Sequence, residues 1–131
     1  MDLSGFAPRS PKGEYFGANI FAWHPIATYI EAKGPQHIVR KCAYWHSNDN
    51  DGLDDEDARV LATWLRARIA EGSAFAYLLS PSPLDASVHK IVRDLGLPPG
   101  LRLQPTEAEQ VLMQLGRFAD FLADCGGFSI D

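Results

Sequence analysis

Apolar residues recur at i, i+3, i+4 and i+7 through much of the chain, the period of helices that bury one face. The clearest run covers residues 54 to 71, where Val60, Leu61, Trp64, Leu65 and Ile69 share a face and Gly72 follows as a left-handed cap. A second long run predicts a helix over 107 to 124. Its apolar face is Val111, Leu112, Leu115, Phe118, Phe121 and Leu122, and Thr106 and Glu109 have the spacing of a capping box. Shorter patterns predict a helix over 25 to 33, opened by Pro25 and closed by Gly34, and one over 35 to 45 with Ile38, Val39, Cys42 and Trp45 on one stripe. A fifth is predicted over 85 to 95, from Val88, Ile91, Val92 and Leu95.

The remaining segments lack a helical period. Residues 1 to 13 combine Gly5, Pro8, Pro11 and Gly13 with two serines, which predicts a flexible arm without regular hydrogen bonding. Tyr15 to Trp23 and Ala74 to Leu79 are short apolar runs that periodicity does not assign, and they could pair as a minor two-stranded element. The fold class expected is therefore all-α: a compact bundle of about five helices in a single domain over 14 to 131. Its predicted centre is Trp64, Leu65, Ile69, Leu112, Leu115 and Phe118.

Composition narrows the classes of function. A chain of 131 residues that is 46% hydrophobic can bury a core without metal or disulfide staples, and its two cysteines, Cys42 and Cys125, form no paired motif. The formal charge of -5 argues against direct nucleic-acid binding, which calls for a basic footprint. The opening MDLSGFAPRSPKG has no secretory pattern and no apolar run reaches membrane-spanning length, so a soluble, cytoplasmic protein with no membrane partner is expected.

The densest polar cluster lies in YWHSNDNDGLDDEDA, residues 44 to 58, which holds Asp49, Asp51, Asp54, Asp55, Glu56 and Asp57. Local structure accounts for many of these acids. Asp54 can cap the helix that follows, and the next three acids meet the positive end of its dipole. Asp49, Asp51 and Gly52 also imitate positions 3, 5 and 6 of a calcium loop, a weak match because Ser47 and Ala58 stand at positions 1 and 12 where strong ligands belong. No cofactor is expected; the one weak match is a divalent cation at Asp49 and Asp51 with His46 as a further ligand, a set that still needs a fourth group from elsewhere. Trp45 and His46 could wall a pocket beside Asn48, and Cys42 lies one helical turn before His46. Nucleophile elbows, phosphate loops and His-Glu zinc motifs are absent from the sequence.

Three blocks, GEYFGANIFAW at 13 to 23, YWHSNDNDGLDDEDA at 44 to 58 and FADFLADCGGFSI at 118 to 130, together resemble a group of uncharacterised small proteins of bacteria and their phages. The resemblance implies no known activity and supplies no catalytic residue. Members of that group often look to carry a C-x-x-C-x-G-x-G segment between the second and third blocks, similar to zinc-binding modules. This chain has Pro- and Leu-rich sequence there instead, so no zinc role carries over.

The leading functional expectation is a non-catalytic acidic interaction module, with Trp45, His46, Asn48, Asp49, Asp51, Asp54 and Asp55 as its binding residues. Its expected partner is a basic protein surface, such as that of a nucleic-acid-processing protein, and an inhibitor of a basic host or defence protein would fit. Two alternatives stand beside it. One is a small-molecule or divalent-metal-dependent enzyme using residues 45 to 51, and the other is a structural helical domain that self-associates through Phe118 and Phe121.

Overall fold

Leu3, Phe16, Leu53, Phe128 and Ile130 all turn to one buried face of a β-sheet, although no two of the first four come from the same stretch of chain. The computed structural model describes residues 1–42, 45, 51–79 and 105–130. Its strands are β1 (Asp2–Gly5), β2 (Tyr15–Gly17), β3 (Gly52–Asp54) and β4 (Gly127–Ile130). Its α-helices are α1 (Ile20–Lys33), α2 (Gln36–Val39), α3 (Asp55–Glu71), α4 (Ser73–Leu79) and α5 (Pro105–Asp124), with a 3-10 turn at Pro11–Gly13.

The strands form one antiparallel sheet in the order β2-β1-β4-β3. Leu3 stands opposite Phe16 on one side and Ile130 on the other, and Leu53 stands opposite Phe128. Side chains alternate across a strand, so these pairs face the helices while Asp2, Ser4, Tyr15 and Ser129 take the outer face. The fold is thus mixed α/β, and the expected all-α bundle is corrected by a four-stranded sheet.

The sheet escaped the pattern reading because each strand is only three or four residues long, too short to display an alternating period. Residues 1 to 13, expected as a flexible arm, instead contain β1, an inner strand bonded on both sides. The expected pairing of 15–23 with 74–79 is also replaced. Tyr15–Gly17 pairs with β1, and residues 73–79 are helical.

Helix boundaries follow local chemistry. The Asn19 side chain accepts from the Ala22 amide at 2.9 Å, so α1 starts ahead of Pro25, which becomes an interior residue. Asp54 caps α3 by accepting from the Asp57 amide at 2.8 Å, and Gly72 closes it with φ 85°. Of the helix expected over 35–45, Gln36–Val39 is helical and the helix ends at Arg40, while residues 43 and 44 lie outside the described residues. α5 begins at Pro105, so Thr106 is already inside the helix and the expected cap position is displaced. The helix expected over 85–95 lies outside the described residues.

The core is built where α5 crosses the inner face of the sheet and packs on α3. Phe118 holds the centre, with its ring 5.2 Å from Phe16, 5.3 Å from Trp23 and 6.3 Å from both Phe121 and Phe128. Leu61, Leu65 and Leu115 seal the contact between α3 and α5. Of the six residues predicted at the centre, Leu65, Leu115 and Phe118 are buried, while Trp64, Ile69 and Leu112 are partly buried against it. The turn from α5 into β4 uses Gly126 at φ 69° and Gly127 at φ 94°, a left-handed pair that side chains rarely permit.

Candidate functional site

The acidic segment that enters α3 is built largely from contacts within the protein. One Asp51 carboxylate oxygen accepts from the Gly52 amide at 2.9 Å, and the Asp51 carbonyl accepts from the Ile130 amide at 2.7 Å. Gly52 is a strand residue, and a Cβ there would strike the Phe128 carbonyl oxygen. Its lack of a side chain therefore answers a close approach of β4 and not the sharp turn of a calcium loop. Among the described residues, no group of three or more His, Cys, Asp or Glu side chains could hold a metal ion.

Asp54 spends one oxygen on its cap and remains exposed. Asp55 is held between two guanidinium groups, Arg9 at 2.7 Å and Arg59 at 3.2 Å. The hydrogen bond from Arg9 holds the Asp55 carboxyl below its usual pKa, and the same bond raises that of Arg9. The second Asp55 oxygen is buried with no hydrogen-bond partner among the described residues. Asp57 is buried at 8% exposure and meets Lys41 at 2.8 Å, whose pKa is raised chiefly by that hydrogen bond. Glu56 points to solvent.

Trp45 is sealed in the interior at 2% exposure, which fits its place on the apolar stripe and corrects its expected place among the binding residues and as the wall of a pocket. Its indole donates to the Val39 carbonyl at 3.1 Å, its own carbonyl accepts from Trp23 at 2.5 Å, and its ring lies 6.4 Å from Phe128. His46, Asn48 and Asp49 lie outside the described residues. The self-association face expected at Phe118 and Phe121 is corrected as well, since both rings are buried in the core.

Phe6 is the surface residue that pattern reading missed. It is 66% exposed and lines an open depression of about 330 Å³ with Gly52, Leu53, Asp54, Asp55 and Gly126. Its amide donates to the Gly127 carbonyl at 2.9 Å, which fixes its backbone beside β4 while the ring stays in water. The one available signal was a large aromatic stranded in a Gly-, Pro- and Ser-rich stretch, where no helical face claims it. Arg9 was missed with it, because its partner is 46 residues away.

The three sequence blocks that carry the resemblance contribute β2, β3 and β4 respectively, so they meet in one sheet. No helix among the described residues is long and apolar enough to cross a membrane. No family model, curated protein or solved structure matches the chain.

Proposed function

We propose that the protein is a non-catalytic interaction module that docks a basic protein surface onto Phe6 and the acidic start of α3. The observation that carries the reading is the Phe6 ring, 66% exposed and immediately beside Asp54 and Asp55. A solvated phenylalanine gains from burial when a partner covers it, and aromatic anchors surrounded by polar groups are a common source of binding energy. Around it, Asp51, Asp54, Asp55, Glu56 and Asp57 outnumber Arg9, Lys41 and Arg59, leaving a local excess of negative charge. Such an excess speeds encounter with a cationic surface and makes binding sensitive to salt. The cationic channel of a nucleic-acid-processing protein is one surface this face would cover, and an inhibitor would act in that way.

The contribution of each acid is unequal. Asp55 and Asp57 are engaged with cations of their own chain, so Asp54 and Glu56 present the charge that a partner meets. The test is affinity purification from the native host with three baits: the unaltered protein, Phe6→Ser, and Asp54→Asn with Glu56→Gln, in which Asn preserves the cap. A basic protein recovered only by the unaltered bait, whose purified complex weakens as salt rises, is the expected result. Equal recovery by all three baits would defeat the reading.

A further inference from the structure

We infer that the groove between β2 and α5 takes an extended peptide segment bearing a carboxylate, which adds to the sheet as a fifth strand. β2 lies at the edge opposite β3, and among the described residues nothing pairs with its outer side. The pairing pattern shows which backbone groups are left. The Gly5 amide donates to Glu14 at 3.0 Å and the Ala18 amide to Met1 at 3.1 Å, with Leu3 opposite Phe16 midway between. Bonded and non-bonded pairs alternate along an antiparallel ladder, so Phe16 turns its amide and carbonyl to β1 while Tyr15 and Gly17 turn theirs away from it. Both are exposed, and β2 has neither the proline nor the charged side chain that commonly blunts an edge.

A depression of about 470 Å³ follows this edge, walled by Gln114, Arg117 and Asp120 from α5. Those three positions are successive i, i+3 neighbours and make one row along the helix. Asp120 is taken up by Arg66 at 3.0 Å and by Lys12 at 3.6 Å. Arg117 is exposed and forms no ion pair among the described residues, so it is the cation left to a ligand in the groove.

Strand geometry then assigns the side chains of the occupant. A residue paired with Phe16 on an added strand shares the face of Phe16, the face covered by α5, and its side chain points to the row of Gln114 and Arg117. A carboxylate there meets the guanidinium in a two-pronged contact. The residues on either side turn to the outer face beside the Tyr15 ring, whose hydroxyl donates to Asp2. Main-chain bonds supply affinity and the alternating pockets supply selectivity, as in other edge-strand recognition. The occupant is thus an extended segment with one acidic residue between apolar or β-branched neighbours.

A short-peptide display library panned on the full chain, followed by fluorescence anisotropy with synthetic copies of the selected peptides, tests this. Selected sequences are expected to share a central Glu or Asp. Replacing it with Gln is expected to weaken binding by about tenfold, and Arg117→Glu by a similar factor with a gain for the matching Lys peptide. Methylation of the flanking peptide nitrogens is expected to abolish binding, because it removes the edge hydrogen bonds. Failure to select any acidic peptide, or binding that survives both Arg117→Glu and backbone methylation, would overturn the inference. A dimer of the protein itself that Arg117→Glu dissociates in sedimentation would also overturn it, by making a second copy the occupant.

Discussion

The Arg9 guanidinium reaches the Asp55 carboxylate at 2.7 Å, tying the segment between β1 and β2 to the first turn of α3 across 46 residues. The pair serves the fold twice, since Asp55 also lies at the positive end of the helix dipole. Arg9 further approaches the Ala123 carbonyl at 3.5 Å, near the end of α5.

This pair has a defined pH signature. The Asp55 carboxyl is held below its unfolded pKa, first by the Arg9 hydrogen bond. A depressed carboxyl stabilises the folded state above the unfolded carboxylate pKa, and that contribution is lost as pH falls through the folded value. Arg9→Ala is therefore expected to lower the Tm at pH 7, with the difference from the unaltered protein closing below about pH 4. Raising salt is expected to shrink the same difference, because both side chains reach solvent. Thermal melts across pH and salt measure this, and a difference that stays constant down to pH 2 would assign the loss to packing.

Asp54 separates a local role from an electrostatic one. Its carboxylate accepts from the Asp57 amide, so Asp54→Ala removes the cap and is expected to cost about 1 kcal/mol in urea unfolding. Asp54→Asn keeps an oxygen acceptor in place and is expected to stay within a few tenths of a kcal/mol of the unaltered protein. If Asn is as damaging as Ala, the charge and not the cap is what matters at this position.

The two cysteines are expected to be chemically silent in the folded state. Cys125 is fully buried and Cys42 is 1% exposed, and burial pushes the Cys125 thiol above its ordinary pKa. Since the thiolate is the reactive form, a disulfide reagent at pH 8 should label neither residue until the protein opens, and both once urea unfolds it. Labelling of either thiol at the rate of a free cysteine in the native protein would contradict this burial.

What was legible in the sequence was what is encoded locally. Asp54, Gly72 and the apolar stripe through Leu61 and Leu65 lie within one helix, and the structure places the cap and the terminator where the pattern puts them. Of the predicted face, Leu61 and Leu65 are buried, Trp64 and Ile69 partly so, and Val60 is exposed. β1 had no such signature, since Asp2–Gly5 offers a single buried apolar residue, Leu3, among polar and small neighbours. Its strand state comes from Phe16 and Ile130 on either side of Leu3, the first in a separate segment beyond the Pro-rich turn and the second separated from it by nearly the whole chain. The candidate site followed the same divide. The acids were visible as a cluster, but Phe6 and Arg9 reach them only after β1 has been drawn between β2 and β4.

The placement of β1 makes the start of the chain indispensable in a way its composition hides. Leu3 is fully buried, and β1 bridges β2 to β4, so without it the sheet separates into an isolated β2 and a β3-β4 pair. Phe16 and Ile130 would then lose the cross-strand neighbour they share, and the inner face above Phe118 and Phe121 would open to water. Leu3→Ala is expected to cost about 2 to 5 kcal/mol, the range for emptying a buried leucine site. Deleting residues 1–5 removes the strand outright and is expected to yield a chain without a cooperative thermal transition. A flexible arm would behave differently, because its removal leaves melting unchanged. Circular dichroism melts of the two variants decide between these outcomes, and a truncated chain that still unfolds cooperatively near the original Tm would exclude β1 as an inner strand.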